Sequence, residues 1–170
     1  PAAGSSPRHP LVRLRGELAL VALSTARPSP PLMAVGTLGR RQLQRAEALL
    51  SHEELRARFR LVVLHHPPRS AHVQWHNRLT DAAAFNEMIG RVGADLVVHG
   101  HLHRQCRDEL AGPERAVPVI GVTSGTWLRP RDPARGARYN IYEIEERALV
   151  RVRTRRYDPS TQSWVADAVG

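Results

Sequence analysis

The chain has 170 residues and a formal net charge of +9, and all of its 25 basic residues are arginine. Its hydrophobic share of 42% suits one globular core, and no apolar run reaches transmembrane length, which argues against a membrane partner. The single Cys106 excludes an internal disulfide and fits a reducing compartment such as the cytoplasm. Because arginine and alanine are abundant, the charge indicates a compositional bias more than a nucleic-acid surface, and nucleic acid stays a minor alternative partner.

The first half of the chain predicts strands alternating with helices. Apolar runs indicate buried strands, and an i, i+3, i+4, i+7 pattern indicates the helix that Thr80 caps and Asp81 stabilises. The predicted elements are a loop-like start at 1–10, strands at Leu11–Arg15 and Glu17–Ser24 meeting at Gly16, a loop at Ala26–Gly39, one or two helices from Arg40 to about Phe59, a strand ending at His65, and a helix from Thr80 to a terminating Gly93.

The second half predicts two further strands and then an antiparallel hairpin. The last strand alternates, which places Val150, Val152 and Thr154 inward and the intervening arginines in solvent. The predicted elements are a strand ending at His99, a strand at Ala116–Ser124 with Pro118 near an edge or its start, strands at Tyr139–Glu145 and Ala148–Tyr157 joined across Glu146-Arg147, and a tail at 158–170. The succession predicts an α/β or mixed-sheet domain.

The segment from Asp95 to His103, Asp-Leu-Val-Val-His-Gly-His-Leu-His, is typical of a metal site. Imidazole is a common ligand of transition metals, and residues i and i+2 of an extended segment project to the same side. His101 and His103 are therefore expected to reach one site, and Gly100 lets the backbone turn sharply beside it.

A second strand also ends in histidine, where Arg60-Leu-Val-Val-Leu runs into His65-His66-Pro-Pro68. Seven of the nine histidines fall between positions 65 and 103. In open α/β sheets, ligands bind outside the carboxyl ends of the strands. We therefore expect the two motifs to share one crevice.

The pair of histidine motifs resembles the two C-terminal signatures of the calcineurin-like metallophosphoesterases, the superfamily that includes class III cyclic-nucleotide phosphodiesterases. Their order and spacing are similar to the family pattern, and the resemblance covers roughly positions 10 to 157. Further similarity lies in Gly36–Leu43, Arg78–Asp81 and Val119–Ser124.

The resemblance implies part of a four-layer αββα sandwich that lacks its N-terminal strands and helices. It also implies hydrolysis of phosphomonoesters or phosphodiesters, a cyclic nucleotide among them, by a hydroxide generated at two metal ions of manganese, iron, zinc or nickel. His65 and His101 would bind the second metal and His103 the first. His66 would orient a ligand or contact the substrate. Arg104 and Arg69 would either contact a substrate phosphate, which a guanidinium matches well, or be ordinary surface arginines.

The family's N-terminal motifs, Asp-x-His, Gly-Asp and Gly-Asn-His, are absent from the sequence. They would supply the bridging carboxylate and the catalytic histidine, so no catalytic residue is expected in this chain. We therefore expect residues 1–170 to be the C-terminal portion of one metallophosphoesterase domain, inactive and poorly stable or self-associating when isolated. The alternative is a non-catalytic metal-binding or interaction module.

Three further expectations concern residues beside these motifs. His99 is expected to pack or hydrogen-bond at the strand end, and Cys106 to be inert. The loop with His72, Trp75 and His76 would either set substrate specificity or form a variable surface. The sequence leaves the oligomeric state open.

Overall fold

The larger of two β-sheets organises the protein, which is described by a computed structural model for residues 9–29, 31–69, 73–128 and 131–167. Six strands lie in the order β1-β2-β3-β4-β6-β5, with β2, β3, β4 and β6 parallel and both edge strands antiparallel. The strands are β1 Leu11–Arg15, β2 Leu18–Ala22, β3 Phe59–Val63, β4 Leu96–His99, β5 Cys106–Leu110 and β6 Val117–Gly121. The mixed sheet confirms the α/β class.

Helices cover one face of this sheet. They are α1 Arg40–Ser51, α2 Glu53–Arg56 and α3 Ala82–Val92. Leu50 of α1 and Phe85, Met88 and Ile89 of α3 are fully buried against sheet residues such as Val97. The helical spacing of these apolar residues gives each long helix one face to bury, and this burial supplies most of its stability.

A second, antiparallel sheet covers the opposite face. Its strands are β7 Arg138–Glu145, β8 Ala148–Asp158 and β9 Ser163–Ala166, in the order β7-β8-β9. Tyr142, Ile144 and Leu149 pack against a second core that contains Phe59 and Leu96. The described residues therefore form three layers, because alternate residues of the central strands face the helices and the second sheet.

The predicted hairpin is confirmed, with Glu146 and Arg147 both at positive φ in its turn. The inward position predicted for Val150 is wrong. The register shifts so that Arg151 pairs with Glu143 but Leu149 with Ile144, which leaves Val150 unpaired in a bulge and 51% exposed. One extra residue reverses the alternation, and Leu149 takes the inward place.

Two strands of the structure were not predicted. Strand β5 pairs with β6 beyond the histidine loop, so β6 is an interior strand and Pro118 lies near its start. Strand β9 lies within the segment predicted as a tail and pairs with the end of β8. Strand β5 has no apolar run to mark it, and the apolar run of β9 is only three residues long.

The cap of α3 also differs from prediction. Asp81, not Thr80, is the cap residue, and its side chain makes no bond to its own helix. Its carboxylate instead accepts hydrogen bonds from the amides of Leu38 and Gly39, just before α1. The carboxylate therefore ties the two long helices together at the edge where the histidine motifs lie. No helix within the described ranges is long and apolar enough to cross a membrane.

Candidate metal centre

His65 and His101 meet at the carboxyl ends of β3 and β4. These parallel strands pair Val63 with Val98, and the pairing continues as the Gly100 amide donates to the His65 carbonyl at 3.1 Å. His65 Nε2 and His101 Nδ1 then lie 3.2 Å apart. The register of the sheet thus brings together two of the three predicted ligands.

This separation suits two ligands of one ion. Nitrogens that bind a tetrahedral metal at 2.0–2.1 Å lie about 3.3–3.4 Å from each other. The observed 3.2 Å between His65 Nε2 and His101 Nδ1 is close to that value. The same distance also permits a hydrogen bond from one ring to the other. The donor chemistry and spacing of this pair fit a transition metal.

His103 does not join His65 and His101 in a group of three ligands. The expected extended geometry of the loop is wrong, because His101 and His103 both have left-handed backbones, with φ of 68° and 50°. The His103 ring instead meets Trp127 edge-on, with centroids 5.5 Å apart. Across the described ranges, no three or more His, Cys, Asp or Glu side chains form a group that could hold a metal ion.

His66 is held by hydrogen bonds at both ring nitrogens. The Ala34 carbonyl can only accept, so Nε2 carries the hydrogen and donates to it at 2.9 Å. Nδ1 then accepts from the hydroxyl of buried Thr25 at 2.7 Å. The ring lies 4.2 Å from that of His101. His66 therefore supports His101 and has no free nitrogen for a ligand.

The cluster keeps its imidazoles neutral. Burial, followed by the nearby rings of His66 and His65, lowers the pKa of His101 to about 4, although the Asn77 backbone carbonyl opposes the shift by hydrogen bonding. Burial, and then the charges of His66, His103 and His99, also lower the pKa of His65. At neutral pH both rings therefore have a lone pair available for a metal.

The two arginines predicted beside the site differ in their surroundings. Arg69 donates to the Glu109 carbonyl at 2.9 Å and pairs with Asp108 at 3.5 Å, so its guanidinium is attached to β5. Arg104 is exposed, and its charge lies near Cys106.

His99 packs within the fold, as predicted. Its Nδ1 donates to the Gly100 carbonyl at 3.0 Å, and its Nε2 lies 3.6 Å from the sulfur of Cys106. Burial raises the pKa of the Cys106 thiol, so the thiol is the form that meets His99. A raised pKa makes a cysteine a poor nucleophile, which agrees with the prediction that it is inert.

Several residues that shape the site carry no sequence signal. Thr25 and Ala34 bind His66, Asn77 contacts His101, and Trp127 contacts His103. Asn77 ends a short 3₁₀ turn at Trp75–Asn77, in which Trp75 is exposed. His76 of the same turn is half-buried, and His72 lies outside the described residues.

No protein-family model matches this sequence, and no curated protein matches it.

Proposed function

We propose that this chain is the C-terminal part of a metal-dependent phosphoesterase of the calcineurin-like class. The observation that supports this most directly is the 3.2 Å approach of His65 Nε2 and His101 Nδ1 at neighbouring strand ends. The two motifs that supply these rings are the ones that resemble the family's signatures. The substrate would be a phosphomonoester or phosphodiester, with cyclic nucleotides among the candidates.

In this proposal three histidines bind metal ions and a fourth supports one of them. His65 and His101 would hold one ion, and His103 would contribute to a second. Bound metal ions would polarise the phosphoryl group and activate the attacking water. His66 is held by its own two hydrogen bonds and would support His101 through the contact between the two rings, whose centroids lie 4.2 Å apart.

The fold is compatible with part of a four-layer αββα sandwich. The helices, the six-stranded sheet and the three-stranded sheet correspond to three of its layers. On the smaller sheet Tyr139 and Trp164 are exposed and touch each other, with ring centroids 4.8 Å apart. Further strands and a second helical layer from the rest of the domain would cover such side chains. A single free Cys106 suits the cytoplasm.

A second candidate is a metal-binding module without catalysis. In the described part of the chain, neither His103 nor a carboxylate joins the facing pair to make a group of three. A phosphoesterase of the proposed kind needs acidic ligands to bridge two ions. If no other segment supplies them, the pair can bind a metal but not perform the reaction.

The first test is metal binding by the chain itself, measured by calorimetry with Zn²⁺, Mn²⁺ and Ni²⁺. His65→Ala and His101→Ala should each weaken the tightest binding by more than about tenfold, since even partners that only support a ligand contribute that much. His52→Asn is the matched control, because His52 lies at the start of α2 and asparagine also caps helices well. Unchanged affinity in both site variants would refute the metal assignment.

The second test separates the two candidates. Hydrolysis of bis-p-nitrophenyl phosphate should be compared between this chain and a longer version that carries its upstream coding sequence. We expect negligible turnover from the chain alone and metal-dependent turnover from the longer version, abolished by His101→Ala. If the longer version carries Asp-x-His and Gly-Asn-His motifs, binds metal and yet hydrolyses nothing, the non-catalytic module is the correct reading.

A further inference from the structure

A cleft of about 710 Å³ lies between the segment after β2 and the beginning of α1. Four arginines line it, and no aspartate or glutamate does. They are Arg27, Arg40, Arg41 and Arg45. The cleft is therefore positively charged on several sides.

In the described part of the chain, no carboxylate neutralises these arginines. Elsewhere, arginines meet carboxylates, as in the pairs of Arg91 with Glu47 and of Arg153 with Glu143. Within the described ranges, none of the four cleft arginines forms an ion pair with an acidic side chain. Holding like charges together costs energy that an anion in the cleft would offset.

Buried hydrogen bonds fix the two walls relative to each other. Gln42 of α1 is buried, and its side chain accepts from the Ser24 amide at 2.9 Å and donates to the Ser24 carbonyl at 2.8 Å. Its amide nitrogen also donates to the Leu38 carbonyl at 3.0 Å. These bonds hold the segment that leads to Arg27 against the helix that carries the other three arginines, which favours a specific site over a diffuse charged surface.

The side chain of Arg27 lies across the N-terminus of α1. Its Nη2 lies 3.5 Å from the Leu38 carbonyl, and a Cβ added at Gly39 would come within 3.2 Å of the same nitrogen. Gly39 itself has φ of +81°, a conformation that suits glycine. The backbone there is shaped so that the guanidinium can approach it closely.

We propose that this cleft binds an anion with at least two phosphate groups, an inorganic or organic polyphosphate. A guanidinium matches a phosphate with two parallel hydrogen bonds, and several of them at different walls match a ligand with several phosphates. The cleft lies at the carboxyl end of β2, next to the start of β1, since Ser24 and His9 both line it. Thr25 lies between Ser24 and Ala26, which line the cleft, and its hydroxyl forms a hydrogen bond with His66 of the candidate metal centre.

The test is calorimetric binding of pyrophosphate and of orthophosphate, with metal-free protein in resin-treated buffer. Pyrophosphate should bind about tenfold more tightly than orthophosphate, and Arg41→Ala/Arg45→Ala should weaken it at least about tenfold. Both positions are exposed on a helix where alanine is well tolerated, and thermal melting monitors folding.

The matched control is Arg13→Ala/Arg15→Ala, which removes the same charge from the exposed side chains of β1. This control should leave pyrophosphate affinity nearly unchanged. Equal weakening by both double variants would mean that net charge alone attracts the anion and would overturn the proposal, as would equal affinity for both phosphates. Because the assay contains no metal, a negative result for pyrophosphate leaves the metal-centre proposal standing. A negative result in the metal-binding test likewise leaves the anion-binding proposal standing.

Discussion

Gly36→Ala is expected to damage the histidine cluster from behind. A Cβ at this position would lie 2.6 Å from Cγ and 2.7 Å from Cε1 of His66, closer than real contacts allow. The backbone cannot easily retreat, because the Gly36 amide donates to the Arg78 carbonyl at 3.0 Å and its carbonyl accepts from the Thr80 amide at 2.9 Å. The ring of His66 must therefore move.

The cost follows from the two hydrogen bonds that the ring makes. Moving it breaks the bonds to Thr25 at 2.7 Å and to the Ala34 carbonyl at 2.9 Å. Each loss that leaves a buried polar group unpaired costs roughly 1–3 kcal/mol, so two losses should lower the free energy of unfolding by about 2–6 kcal/mol. For a domain of this size that corresponds to a drop in melting temperature of about 4–24 °C.

Urea and thermal unfolding, followed by circular dichroism, measure this change. Gly90→Ala is the control, since a Cβ there would meet only the Ala111 carbonyl oxygen at an ordinary 3.7 Å. Gly90 lies within α3, so alanine should stabilise the protein by about 0.5–1 kcal/mol. If Gly36→Ala unfolds like the unmodified chain while Gly90→Ala behaves as expected, the rigid packing of His66 on Gly36 is refuted.

Three other outcomes are expected from the same core. Thr25→Val keeps the shape of the side chain but leaves His66 Nδ1 without its hydrogen-bond donor. The free energy of unfolding in urea should therefore fall by about 1–3 kcal/mol. An unchanged value would show that this hydrogen bond contributes nothing to stability. Asp81→Ala removes the acceptor of two backbone amides and should lower the free energy of unfolding by about 2–3 kcal/mol, measured by thermal melting. The control Glu87→Ala, on the exposed side of α3, should change it little. As the pH falls below about 6.5, the histidines of the unfolded chain take up protons before those of the folded protein do. The free energy of unfolding should therefore be greatest above that pH and decline towards pH 4. Equal free energies of unfolding at pH 7.5 and pH 5, measured in urea, would contradict this. The histidines responsible, whose pKa values are lowered, are His65, His66, His99 and His101.

The central strands and the long helices could be predicted because their patterns are local. Leu96–His99 is apolar up to the histidine, and Phe85, Met88 and Ile89 follow helical spacing. The expectation that two histidine motifs share a crevice required only that both strands be parallel and adjacent, which the structure confirms. The position of the candidate site thus depends on topology that the sequence pattern already implied.

The supporting residues could not be predicted, because they depend on distant contacts. Thr25 and His66 are separated by 41 residues, and no local pattern links a threonine in a proline-rich loop to a histidine after β3. Strand β5 reads Cys-Arg-Asp-Glu-Leu, which has no apolar alternation, and it forms because β6 offers an unpaired edge. The bulge at Val150 likewise depends on pairing with β7 and not on its own sequence.

The left-handed backbone of the His101 loop connects strain with the candidate site. Residues other than glycine avoid this conformation, since it brings Cβ close to the following carbonyl at roughly 1–2 kcal/mol per residue. His101 and His103 both adopt it within three positions, at φ of 68° and 50°. Such strain persists only where surrounding contacts determine the geometry. Here the Leu102 amide donates to the Gly100 carbonyl at 2.8 Å, and the His101 ring is set between His65 and His66. The loop therefore gives up local stability while it turns one imidazole towards the neighbouring strand end, which is the arrangement that the proposed metal centre requires.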